Sequence, residues 1–197
     1  MAGKFVFTFG PWNIHEGSDP FGPDVRESLA FDTKLAMYKK LGYDGVQLHD
    51  DDAVPNLNDM TAAKIEAAAK ALKAKLDSHG LFAEFVAPRL WFDPRTIDGG
   101  FTNNCPKCRA FALERFKKSV DIAQALGTNL IVLWLAREGT YIREAKDSAV
   151  AVERIAAAID KMLQYCPTIK VAIEPKPNEP MDHAYIPTTG HAIALGM

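Results

Sequence analysis

Several groups of residues combine types and spacing that can do chemistry. His49-Asp50-Asp51-Asp52 sets an imidazole beside three carboxylates. Adjacent like charges repel, so the run needs water, a cation or a specific partner. An imidazole paired with a carboxylate has its tautomer fixed and its basicity raised. That suits a general base near neutral pH; a solvated acidic turn is the competing reading. In Glu174-Pro175-Lys176-Pro177-Asn178-Glu179-Pro180, Glu174 is a hard oxygen ligand suited to Mg²⁺ or Mn²⁺. Lys176 can donate to a substrate oxygen, and the prolines stiffen the backbone around both. A rigid surface loop with a Glu–Lys pair is the alternative there. Trp12, Trp91, Trp134 and Phe21 can wall water out of a reaction, or can simply be core. Cys105-Pro106-Lys107-Cys108 has the spacing of redox and zinc motifs. Zinc needs further soft ligands, which Cys166 alone does not supply. With Pro106 as a first helical residue, a thiolate is favoured at this position. Two incidental thiols are the plainer reading.

The elements that would carry these groups alternate. Phe5–Phe9 reads as a strand and Asp32–Leu41 as a helix stopped by Gly42. Gly45–Leu48 is a second strand, running into His49. Ile65, Ala69, Leu72 and Leu76 share a helical face before Gly80. Leu81–Ala87 is a third strand, and Leu113, Phe116, Val120 and Ala123 mark the next helix. Leu130–Trp134, apolar throughout, predicts a fourth strand buried on both faces. Val152, Ile155, Ala156 and Ile159 give another helix face. Lys170–Ile173 is a fifth strand, and Thr188–Leu195 a capped helix. The pattern predicts an α/β fold with a parallel sheet and covering helices. The polar groups fall just after strands, where parallel β/α folds place their catalytic residues.

Composition narrows the classes. The chain has 197 residues, 48% hydrophobic and 24% charged, with a net charge of -2. No basic excess points to nucleic acid or an anionic membrane. No apolar run reaches the ~18–20 residues of a membrane span, and no signal peptide opens the chain. An odd count of three cysteines fits a reducing, cytoplasmic compartment. The length suits one domain over 1–197 with no second domain, yet a complete eight-stranded β/α barrel typically needs ~250 residues.

A collinear set of blocks resembles the xylose isomerases, in their shorter, actinobacterial-type branch. The blocks are Phe7-Thr8-Phe9-Gly10, Asp19-Pro20-Phe21-Gly22, His49-Asp50-Asp51-Asp52 and Asp98-Gly99-Gly100-Phe101-Thr102. They continue with Val132-Leu133-Trp134, Arg137-Glu138-Gly139, Ile173–Pro180 and Pro187-Thr188-Thr189-Gly190-His191-Ala192. The pattern departs at Leu135-Ala136, where the family carries two glycines, and at Met181, where it carries an arginine.

The resemblance implies a (β/α)8 TIM barrel, of which this chain supplies about the first four and a half β-α units. It implies a metal-dependent aldose–ketose isomerase interconverting D-xylose and D-xylulose, and also D-glucose and D-fructose. His49 would assist ring opening, oriented by Asp52. Lys176 would bond the sugar carbonyl, and Glu174 would ligate one of two divalent ions, Mg²⁺ or alternatively Mn²⁺ or Co²⁺. Trp12 and Trp134 would wall the path of a 1,2-hydride shift. Phe21 would reach a neighbouring active site in a homotetramer. The family's remaining ligands come from strands six to eight, so the 197 residues alone are expected to be inactive. A non-catalytic half-barrel that binds sugar or self-associates is the alternative. A zinc-dependent abasic-site endonuclease would want more early-strand ligands and a basic surface.

Overall fold

The computed structural model describes residues 5–14, 20–23 and 25–197; His15 and Asp19 lie outside the described residues. Strands and helices alternate as β1 (Thr8–Phe9), α1 (Phe31–Leu41), β2 (Gly45–His49), α2 (Asp50–Ala53), α3 (Ala62–Ser78) and β3 (Phe82–Ala87). They continue as α4 (Pro106–Leu126), β4 (Leu130–Trp134), β5 (Gly139–Thr140), α5 (Ser148–Tyr165), β6 (Lys170–Glu174), β7 (His183–Ala184) and α6 (Thr189–Leu195). Five strands form one sheet in the order β1-β2-β3-β4-β6. Thr8 pairs with Gly45 in the parallel β1–β2 ladder, and Leu130 through Trp134 pair with Lys170 through Glu174. Parallel neighbours joined by helices are the unit from which a β/α barrel is built. No helix among the described residues is long and apolar enough to cross a membrane. Contacts divide the chain into two compact units, Met1–Val86 with Asp121–Asn129, and Ala87–Val120 with Leu130–Met197.

In the first unit, Thr61 caps α3 by accepting the Lys64 N–H at 3.4 Å. Ile65, Ala69, Leu72 and Leu76 are its buried face, at the spacing read from the sequence. Ile65, Leu72 and Leu76, removed from water, contribute about 1.5–3 kcal/mol each, and the Ala69 methyl less. Gly42 ends α1 in the left-handed region at φ +80, which an L side chain rarely adopts. The first strand is shorter than expected. Thr8 is already opposite the first residue of β2, so Phe5, Val6 and Phe7 have no facing strand and are exposed. The Phe7 backbone is instead tied to the preceding loop: its N–H donates to Asp44 Oδ2 at 3.0 Å, and its carbonyl accepts the Asp44 N–H at 2.8 Å.

In the second unit, Asp147 caps α5 by accepting the N–H groups of Ala149 and Val150 at 2.9 and 3.1 Å. The buried face of α5 is Ala151, Ile155, Ala158 and Met162. Of the expected face only Ile155 is fully buried; Val152, Ala156 and Ile159 flank it, half-buried. A run of alanines leaves the face poorly defined by sequence, and packing sets the rotation. Strand β4 is not buried on both faces. Ile131 and Leu133 are buried, while Leu130, Val132 and Trp134 are half-buried. A closed barrel fills that second face with side chains from opposite strands. Strands β5 and β7 pair antiparallel, Gly139 with Ala184 and Thr140 with His183. Two-residue strands carry too little periodicity to be read beforehand.

Candidate functional site

The first cluster forms where β2 ends. Val46 and Leu48 are fully buried, which anchors the strand and delivers His49 to its C-terminal end. There His49 becomes the residue preceding α2. Asp52, one turn on, returns its Oδ2 to accept both the His49 backbone N–H at 3.1 Å and His49 Nδ1 at 3.0 Å. This is the carboxylate half of a capping box, used here to hold an imidazole. With a carboxylate as its neighbour, Nδ1 is the ring nitrogen held toward Asp52, which orients the imidazole. His49 is 8% exposed. The Trp12 ring lies against it, centroids 4.1 Å apart and planes inclined by 33°.

Local sequence explains why Trp12 reaches that ring. A side chain at Gly10 would meet the indole at 2.3 Å, so only glycine lets Trp12 fold back over its own backbone. The segment is pinned from α1. Lys34 Nζ donates to the Pro11 carbonyl at 3.0 Å, and the Tyr38 hydroxyl to the Phe9 carbonyl at 2.8 Å. Burial first, then the charge of Asp52 and the neighbouring Tyr43, push the Tyr38 hydroxyl well above the usual phenol range, so it stays a donor. The structure adds a polar row that the sequence did not mark. Gln47 Nε2 donates to Thr8 Oγ1 at 3.1 Å and Glu84 Oε2 at 3.0 Å, and Thr8 Oγ1 also bonds Glu84.

The second cluster forms where β4 and β6 end together. Trp134 and Glu174 are register partners at the last position of that ladder. Lys176 Nζ lies 4.6 Å from the centroid of the Trp134 ring and donates to Glu179 Oε2 at 2.7 Å. Trp134, Glu174, Lys176 and Glu179 line one narrow cleft with Ala184 and Ile186. Buried Trp91 packs edge-on against Trp134, centroids 4.6 Å apart, so Trp91 supports the wall from behind. The lysine's salt partner is thus Glu179, not Glu174, a pairing that the sequence run contained without revealing.

The loops bearing these residues are clamped by the β5–β7 ribbon. A side chain at Gly139 would meet the His183 carbonyl at 2.7 Å, so the close approach requires glycine. Glu138, 3% exposed, locks the neighbouring loop. Its carboxylate accepts the N–H groups of Gly100, Phe101 and Thr102 at 2.9 Å each and the Thr102 hydroxyl at 2.5 Å. Glu138 belongs to the Arg137-Glu138-Gly139 block, and its partners, 36 to 38 positions away, carry no mark in the sequence.

The structure therefore groups Trp12, His49 and Asp52 in one cluster, and Trp134, Glu174 and Lys176 in another. Phe21 occupies a separate turn, half-buried. Among the described residues, the group of three able to share a metal ion is His49, Asp51 and Asp52, whose ligand atoms lie within 4.8 Å of one another. Glu174 fits a hard cation as a single carboxylate donor, and such ions take several oxygens.

These features are those of a β/α barrel, with polar groups at the C-terminal strand ends. The chain belongs to the xylose isomerase-like TIM barrel family, whose model matches residues 35–195. Solved structures share the fold. The IolI protein with a bound zinc atom is 16% identical, with a TM-score of 0.61 over 97% of this chain and 58% of its own. A xylose isomerase domain protein from Alicyclobacillus acidocaldarius is 10% identical, with a TM-score of 0.61 over 96% of this chain and 58% of its own. D-allulose 3-epimerase from Methylomonas sp., in complex with D-allulose, is 19% identical, with a TM-score of 0.53 over 82% of this chain and 50% of its own. The chain thus spans between half and three-fifths of the length of these structures.

Proposed function

We propose that the full-length protein is a metal-dependent aldose–ketose isomerase acting on D-xylose and D-xylulose, and on D-glucose and D-fructose. The observation that carries this reading is the double hold of Asp52 on His49, with the Trp12 ring laid against the imidazole. With Nδ1 held as a donor, Nε2 takes the proton of the anomeric hydroxyl and returns it to the ring oxygen, opening the sugar. Lys176 donates to the carbonyl oxygen of the open chain, and Trp134 shields the bond being remade. Glu174 would be among the ligands of a divalent cation (Mg²⁺, Mn²⁺ or Co²⁺), which when bound would supply Lewis-acid chemistry. Phe21 serves the neighbouring active site of a homotetramer. The zinc in one structural neighbour and the sugar in another support a metal- and sugar-using site in kind.

A second reading is a sugar epimerase, since a base of this geometry can also move a proton at carbon, and one neighbour is a sugar 3-epimerase. The test is a coupled ketose assay on the full-length protein with D-xylose and added Mg²⁺, Mn²⁺ or Co²⁺. Metal-dependent xylulose formation, abolished by chelation, is expected. Absence of turnover with all three ions overturns the isomerase reading.

A further inference from the structure

The Cys105-Pro106-Lys107-Cys108 segment lies outside both clusters and opens a helix of 21 residues, α4. The Arg109 N–H reaches the Cys105 carbonyl at 3.2 Å, closing the first turn and making Cys105 the cap residue. The loop before it is fixed. The Cys105 N–H donates to Asn103 Oδ1 at 2.8 Å, and the Arg109 guanidinium donates to the carbonyls of Asn103 and Asn104 at 2.6 and 3.0 Å. Asn103 Nδ2 in turn donates to the Gly99 carbonyl at 3.0 Å.

The two sulfurs are unequal. Cys105 is exposed and Cys108 is half-buried. They stand three residues apart, neighbours on the first turn of α4. The amides of Cys108 and Lys107 and the neighbouring Cys108 thiol hold the Cys105 thiol below the usual range, the Cys108 amide contributing most. Burial first, then the bond to Cys105, push Cys108 up. Pro106, which has no N–H, occupies the first helical position, where an N–H would have no partner within the helix. Among the described residues, no cluster of metal-ligating side chains includes either cysteine.

We propose that Cys105 and Cys108 are a redox-active dithiol whose oxidant is a low-molecular-weight disulfide. The Cys105 thiolate attacks one sulfur of the disulfide RSSR, forming Cys105–S–SR and releasing RS⁻. Cys108 then loses its proton and attacks the Cys105 sulfur. The Cys105–Cys108 bond forms, and the second RS⁻ leaves. Two electrons pass from the protein to RSSR, and the two thiol protons end on the released thiols. The i, i+3 placement of the two cysteines on the first turn of α4 supplies the approach for the second step, and the helix-start position of the exposed Cys105 supplies the first. Nothing in this depends on the isomerase reading.

The test uses reduced full-length protein, oxidised glutathione at neutral pH, an acid quench, and intact-mass and peptide analysis. The native protein is expected to lose two hydrogens, give a cross-linked Cys105–Cys108 peptide and retain no glutathione. Cys108→Ser is expected to accumulate one glutathione on Cys105. Cys105→Ser is expected to react about tenfold more slowly or less, because a thiol of ordinary pKa is only a few per cent thiolate at pH 7. Stable glutathione on Cys105 in the native protein overturns the proposal, because Cys108 then fails to resolve it. Equal reactivity of Cys105→Ser and Cys108→Ser overturns it too. Both positions lie at the surface end of the helix, and melting curves of the variants check that the fold is kept.

Discussion

Asp52 Oδ2 takes the backbone N–H and the Nδ1 of His49 at once, at 3.1 and 3.0 Å. One carboxylate therefore holds both the backbone and the ring of His49, and the proposed mechanism uses it to select the Nδ1–H tautomer. Asp52→Asn keeps the shape but makes either tautomer acceptable at Nδ1. Steady-state assays of this variant are expected to show kcat/KM lower by about 10- to 100-fold, the usual cost of losing an orienting carboxylate. His49→Gln removes the base itself and is expected to cost about 10²–10⁴-fold. If Asp52→Asn matches the parent, the orienting role is wrong.

Lys176 is held between the Trp134 ring and Glu179. Lys176→Met keeps the stem against the indole and deletes the donor. A charged hydrogen bond is worth about 1.5–3 kcal/mol, so kcat/KM should fall about 10- to 100-fold. The loss should appear mainly in kcat if the bond strengthens as charge develops on the carbonyl oxygen. A change confined to KM would make Lys176 a ground-state binding group only.

Glu138 bears on stability. Its carboxylate answers three backbone N–H groups and one hydroxyl in a buried loop. Glu138→Ala leaves all of them without that acceptor and is expected to cost about 3–5 kcal/mol in urea unfolding, since a buried donor left unpaired costs about 1–3 kcal/mol. Glu138→Gln keeps one oxygen and should cost less, about 1–3 kcal/mol. A loss under about 1 kcal/mol for the alanine variant would show that water replaces the carboxylate at no penalty.

The helices and strands were legible where composition forced them. Ile65, Ala69, Leu72 and Leu76 form a face that only an α-helix aligns, and they are buried together. His49 and Glu174 were legible as site candidates because each is the polar residue that closes a strand. The features that escaped are relations between distant segments. Glu138 and Thr102 lie 36 positions apart, and Thr8 and Glu84 lie 76 apart. Residue type alone does not announce such pairs. The β5–β7 ribbon escaped for another reason: Gly139 and His183 belong to segments too short to show a period. The rotation of α5 was missed because alanines mark no edge of an apolar face.

The mechanism separates from the epimerase alternative by where the migrating hydrogen goes. The full-length protein is to be run with D-xylose and Mg²⁺ in D₂O, and the product read by NMR at C1. The account predicts xylulose with no solvent deuterium at that carbon, because the hydrogen passes between adjacent carbons behind the Trp134 wall. Xylulose carrying solvent deuterium at C1 would contradict it, as would deuterium entering a sugar that is epimerised and never isomerised.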